Sequence, residues 1–90
     1  MVNIDLYAWI IRGTRRTAIV KAMEKPMSPC QINKKSKEYN EKISLNNTSD
    51  TLRSFVRKEL ALCVNGEAKT GRIYQLTQDG EEIREELMKG

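Results

Sequence analysis

Ninety residues with sixteen Lys/Arg against twelve Asp/Glu, a net charge of +4, make one small basic domain spanning residues 1–90. A chain of this length closes a single modest core but leaves no room for a deep substrate cavity as well. Its 39% hydrophobic and 31% charged content is that of a soluble globular protein, and no apolar run nears the roughly 20 residues a membrane-crossing helix needs.

The charge is unevenly spread. Residues 1–37 hold eight Lys/Arg against two acids, residues 38–77 six against five, and residues 78–90 two against five. A basic first half and an acidic last segment suggest a face for a polyanion with an acidic helix kept away from it. The absence of histidine and the wide separation of Cys30 and Cys63 deprive a metal centre of its usual ligands, so no metal is expected and both thiols read as structural. Free cysteines of this kind fit a reduced compartment. Asn3 and Asp5 ahead of the apolar run do not resemble the basic start of a secretory signal, so a cytoplasmic location is expected.

In chain order, Leu6 to Ile11 is short and apolar and fits a strand or a helix. Its Tyr7 and Trp9 would complete the core or, with Leu6, Ile10 and Ile11, form a seam between two copies. Gly13-Thr14 breaks the run before a helix with Ala18, Ile19, Ala22 and Met23 on one face. Lys25-Pro26 ends that helix, because proline disfavours helical backbone in the residue before it. Ser28-Pro29 opens the next, with serine as N-cap and proline at the first helical position. Its inward face is Ile32, Ser36 and Tyr39, leaving Gln31, Lys34, Lys35 and Lys37 towards solvent. Asn40 to Ser44 connects, with Ile43 as an apolar plug.

The third clear helix covers about 46–58, capped by Ser44 or Asn46. Leu45, Thr48, Leu52, Phe55 and Val56 recur at helical spacing and would face the core, which turns Asn46, Asn47, Asp50, Arg53 and Arg57 outward. Asn and Arg carry the forked donors and acceptors that match adenine and guanine edges in the major groove. Short strands are expected at Leu60 to Val64 and at Arg72 to Leu76, joined by a turn whose Asn65, Gly66 and Gly71 favour positive backbone torsions. Thr77 can cap a last helix from Gln78 to about Met88, whose first-turn acids Asp79, Glu81 and Glu82 suit the helix dipole. Ile83 and Leu87 give it a narrow buried stripe. The resulting class is α+β, mostly helical with one small hairpin.

Helix, helix, helix, hairpin, helix is also the order of a winged helix-turn-helix domain. The segments Lys42 to Arg53 and Gly71 to Gly80, with Arg12 to Arg16 and Pro29 to Ile32, resemble those of archaeal winged-helix transcriptional regulators of the MarR and ArsR kind. The resemblance covers nearly the whole chain and implies a three-helix core, a two-stranded wing and a C-terminal helix. It further implies that the third helix enters the major groove of double-stranded DNA, with Asn46, Asn47, Ser49, Asp50 and Arg53 as base or phosphate contacts. Lys69 and Arg72, in or beside the wing, would reach phosphates or the minor groove. Such relatives usually have glycine between recognition helix and wing; here Glu59 stands in that place.

Other roles compete for these side chains. Asn46 and Ser49 can cap the helix, and Asp50 can orient Arg53, accept from cytosine or serve the helix dipole. Gln31, Lys34 and Lys35 join the DNA-contact set, the lysines as a general electrostatic apron. Arg15 and Arg16 could equally pair with the acidic tail. A homodimer is expected, since two half-sites give the specificity that one small domain lacks. Catalysis is not expected, with no histidine, no Gly-rich phosphate loop and no sheltered acid and base, and no cofactor is implied. The alternative is a winged-helix module that binds another protein of a transcription or replication complex. Single-stranded or RNA binding is disfavoured by the few aromatics available for stacking.

Overall fold

The computed structural model describes residues 2–68 and 70–89, so the expected phosphate contact Lys69 lies outside the described residues. The elements are α1 (Ile4–Ile11), α2 (Thr14–Ala22), α3 (Pro29–Ser36), α4 (Leu45–Arg57), β1 (Ala61–Cys63), β2 (Tyr74–Leu76) and α5 (Gln78–Lys89). The molecule is thus mostly helical with one small antiparallel sheet, an α+β fold. None of its described helices is long and apolar enough to cross a membrane.

The run left open between strand and helix is a helix. Asn3 decides it: its side-chain oxygen accepts from the Leu6 N–H at 3.1 Å, satisfying one of the free donors of the first turn. Ile10 is fully buried, and Leu6, Tyr7 and Trp9 pack against the core, so the seam between copies that these residues might have formed is largely consumed within the chain. Ile4 and Ile11, seven apart on α1, stay exposed.

The core lies between α2, α4 and α5, with Ile19, Leu52, Phe55 and Ile83 all inaccessible to solvent. Two identical devices start α3 and α4. Ser28 Oγ accepts from the Gln31 N–H while Gln31 Oε1 accepts from the Ser28 N–H, and Ser44 and Asn47 repeat the exchange. Each is a capping box, with an amide at the third helical position closing the loop. Between these helices Asn33 acts as a clamp: its Nδ2 donates to the Ile43 carbonyl at 3.1 Å and to Thr48 Oγ1 at 3.0 Å. Thr48, fully buried, donates in turn to the Ser44 carbonyl, so the α3–α4 angle is fixed by a satisfied polar network.

Three residues expected inward face solvent: Tyr39, Leu45 and Val56, exposed at 41%, 44% and 39%. α3 stops at Ser36, so the helical spacing that carried Tyr39 inward no longer applies, and its ring receives Lys21 Nζ at 5.6 Å instead. On α4 the buried stripe is centred on Thr48, Leu52 and Phe55, which leaves Val56, one step round the helix, on the rim.

The exit of α4 is sharp although no glycine is present. Glu59 adopts φ 60°, Leu60 N–H donates to the Phe55 carbonyl at 2.8 Å and Glu59 N–H to the Val56 carbonyl at 3.1 Å. These are the paired bonds of a Schellman motif, normally made by glycine in this left-handed position.

β1 and β2 pair antiparallel with Ala61 opposite Leu76 and Cys63 opposite Tyr74. Each is three residues long, shorter than expected: beyond Cys63 the ladder keeps one backbone bond, Val64 N–H to the Ile73 carbonyl at 2.9 Å, and then the Asn65 side chain takes over, its Oδ1 accepting from the Ile73 N–H at 2.7 Å and its Nδ2 donating to the Gly71 carbonyl. Gly71 supplies the positive φ of 68° in that turn. Met27 exchanges both backbone hydrogen bonds with Tyr74, a one-residue third strand tying the hairpin to the α2–α3 connector. Thr77 joins α4's exit to α5, donating to the Glu59 carbonyl at 2.7 Å while accepting from the Gly80 N–H. Gly80 is required by this approach: a Cβ there would overlap the Leu60 carbonyl oxygen.

Candidate nucleic-acid interface

Because Thr48, Leu52 and Phe55 bury one side of α4, the opposite side carries Asn46, Asp50, Arg53 and Arg57 in an exposed row at helical spacing. At 1.5 Å per residue the row runs about 16 Å, roughly the rise of five base pairs. Arg53 Nη1 meets Asp50 Oδ1 at 3.3 Å, with both side chains more than 70% exposed. Such a surface pair contributes about 0–1 kcal/mol and is easily exchanged for a stronger anion. Arg57 in turn donates to Ser54 Oγ at 3.4 Å.

Two clefts flank this helix. One, of about 610 Å³, lies towards the hairpin and is lined by Arg53, Arg57 and Arg72 together with Val56 and Tyr74. The other, of about 510 Å³, lies towards the start of α2 and is lined by Trp9, Arg12, Arg15 and Arg16 together with Thr51. Asp50 and Ser54 belong to both, so α4 stands as a ridge between them. Six of the chain's seven arginines line these two clefts against a single aspartate. That local excess of +5 exceeds the +4 of the whole chain. Guanidinium groups are the side chains best shaped for bidentate contact with phosphate and guanine.

Within the second cleft Arg16 is held in place. Its Nη1 donates to the Trp9 carbonyl at 2.7 Å and its guanidinium lies 4.2 Å from the Trp9 ring centroid. Trp9 is itself fixed edge-on to Phe55, and Lys58 Nζ also lies within 4.8 Å of its ring. Arg12 and Arg15 are exposed and form no ion pair among the described residues. The pairing with the acidic tail that Arg15 and Arg16 could have made is absent among these contacts. The arginine that serves α5 is its own Arg84, which donates to the Lys21 carbonyl at 3.1 Å and faces Glu24.

Of the sequence-derived contact set, Asn46, Asp50, Arg53 and Arg72 stand exposed on or beside the α4 ridge, and Ser49 is half-buried there. Asn47 is taken up by the capping box, which occupies its oxygen and leaves its NH₂ group. Arg72 folds back so that Nε donates to the Ala68 carbonyl at 3.1 Å, and its remaining donors border the cleft. Gln31, Lys34 and Lys35 are not brought to this ridge; they line a separate hollow with Glu24 and Glu38. Gln31 Oε1 is committed to the Ser28 cap, and Lys35 is bridged to Glu38 at 2.9 Å. The Glu38 carboxylate, by hydrogen bond and by charge, raises the Lys35 ammonium above the ordinary lysine value. The positive charge beside the α4 face therefore comes from arginines at the α1–α2 corner and in the hairpin rather than from the α3 lysines. Cys30 is exposed and Cys63 half-buried against the core, so the structural reading of both thiols has burial behind it at Cys63 alone.

Among the described residues no cluster of three or more His, Cys, Asp or Glu side chains could hold a metal ion. Comparison with protein-family models, with curated proteins and with solved structures finds no match to this chain.

Proposed function

We propose that this chain is a sequence-specific double-stranded DNA-binding protein of winged helix-turn-helix architecture, acting as a transcriptional regulator. α4 lies in the major groove and the hairpin reaches adjacent phosphates or the minor groove. The architecture is supported by the succession of α2, α3 and α4 followed by the hairpin, with the Met27–Tyr74 bridge as the small third strand. The observation that carries the function is the exposed Asn46, Asp50, Arg53 and Arg57 row, bordered by Arg12, Arg15, Arg16 and Arg72, which form no ion pair among the described residues. A homodimer would set two such helices one duplex turn apart, about 34–36 Å.

Affinity for a random 20-base-pair duplex, measured between 50 and 200 mM salt, tests the reading. A steep fall is expected, roughly a thousandfold if six or more phosphates are contacted. After selection of a preferred site, Arg53→Ala relaxes discrimination by about 1–3 kcal/mol at one position. No duplex binding, or binding indifferent to salt, contradicts the reading. That outcome would favour the module that docks on a protein, for which Val56, Leu62 and Val64, each 38% exposed or more, provide apolar contacts beside the hairpin.

A further inference from the structure

We infer that the cleft between α2 and α4 is a second phosphate track, holding the backbone of the strand opposite to the one met by the hairpin. This rests on the proposed DNA reading and names which residues grip which strand. The two edges of a major groove about 12 Å wide belong to opposite strands, so a helix lying in the groove has one backbone on each side. α4 has an arginine-lined cleft on each side, and the two share only Asp50 and Ser54 from its crest. The hairpin supplies Arg72 to one; the α1–α2 corner supplies Arg12, Arg15 and Arg16 to the other.

The second cleft is organised for an anion of this shape. Stacking on Trp9 uses the face of the Arg16 guanidinium and leaves the in-plane donors other than Nη1 for an oxygen. Arg12 and Arg15, exposed and without ion pairs among the described residues, are available to successive phosphates. Thr14 and Thr51 line the same cleft and carry hydroxyls that can serve as uncharged donors.

The test compares Arg12→Gln/Arg15→Gln with Arg72→Gln and with Lys25→Gln/Lys37→Gln, two exposed lysines that line neither cleft. The first readout is the slope of log affinity against log salt on the selected duplex, the second is phosphate-ethylation interference on each strand. The Arg12/Arg15 variant is expected to lower the slope by about 1.8, at 0.9 per phosphate lost, and to lose interference on one strand only. Arg72→Gln is expected to lose it on the other strand, and the lysine pair to leave both patterns unchanged. If Arg72→Gln lowers the slope while Arg12→Gln/Arg15→Gln leaves slope and pattern intact, the second track is wrong and the DNA reading stands. An equal drop for the lysine pair also overturns the track, since the cleft would then be nothing more than general charge. Absence of any duplex binding by the unaltered protein overturns both.

Discussion

α4 and α5 are built alike and dressed in opposite charge. Each spans three turns or so and buries one stripe, Thr48, Leu52 and Phe55 on α4 and Gly80 and Ile83 on α5. Outside that stripe α4 presents amides and arginines between two arginine-lined clefts, whereas α5 presents Glu81, Glu85 and Glu86. Both helices are held by the same joint, where Glu59 and Leu60 leave α4 and Thr77 and Gly80 begin α5. Burial thus explains where both helices sit and says nothing of what either binds; what separates them is the chemistry of the outer faces and of what borders them.

The largest effect is expected at the joint. Gly80→Ala inserts a methyl against the Leu60 carbonyl and lowers stability by about 1–3 kcal/mol, or roughly 4–8 °C in melting midpoint for each of those units. Gly66→Ala, where a Cβ meets nothing nearer than 4.0 Å, serves as its control. An unchanged midpoint for Gly80→Ala would mean that α5 is not seated this closely, and the comparison of the two helices would lose its shared frame. Next comes Glu59→Gly, which relieves a left-handed non-glycine residue and is expected to raise stability by up to about 1 kcal/mol in thermal or denaturant unfolding. A loss of stability there would show that the Glu59 side chain contributes more than its backbone strain costs. The smallest effect sharpens the contrast in charge. Asp50→Asn removes the one acid shared by the two clefts and is expected to tighten binding to random duplex about twofold to fivefold while freeing Arg53. Weaker binding by this variant would place Asp50 among the side chains that contact bases.

Much of the fold was legible in local chemistry. Ser28-Pro29, Gly71 in the hairpin turn, Thr77 and the spacing of Thr48, Leu52 and Phe55 each specify their element without help from tertiary structure, whereas the positive torsions expected at Asn65 and Gly66 are not adopted. The capping boxes escape a reading by helical spacing, which turns Gln31 and Asn47 outward as DNA contacts and leaves Ser44 and Asn46 as rival caps; the serine-to-amide interval of Ser28 with Gln31 and of Ser44 with Asn47 is the signal that identifies them. Leu6 to Ile11 was ambiguous because a short apolar run has the same periodicity in either structure, and only the Asn3 cap resolved it. The α2-side cleft was not legible at all. Arg12, Arg15 and Arg16 lie 34 to 38 residues from Asp50 in sequence, and only the packing of α2 against α4 places them on one surface. The signal available was a difference in residue type: arginines cluster at that corner and in and after α4, while lysines occupy α3 and its surroundings.

On the proposed reading, duplex DNA meets the α4 ridge and leaves α5 untouched. Titration of a short duplex into ¹⁵N-labelled protein, followed by amide chemical shifts, checks this residue by residue. Perturbations are expected at Asn46, Asp50, Arg53 and Arg57 and along the flanking clefts, with Glu81 to Glu86 unmoved. Shifts confined to α5, or to the Lys34 and Lys35 hollow, would contradict it.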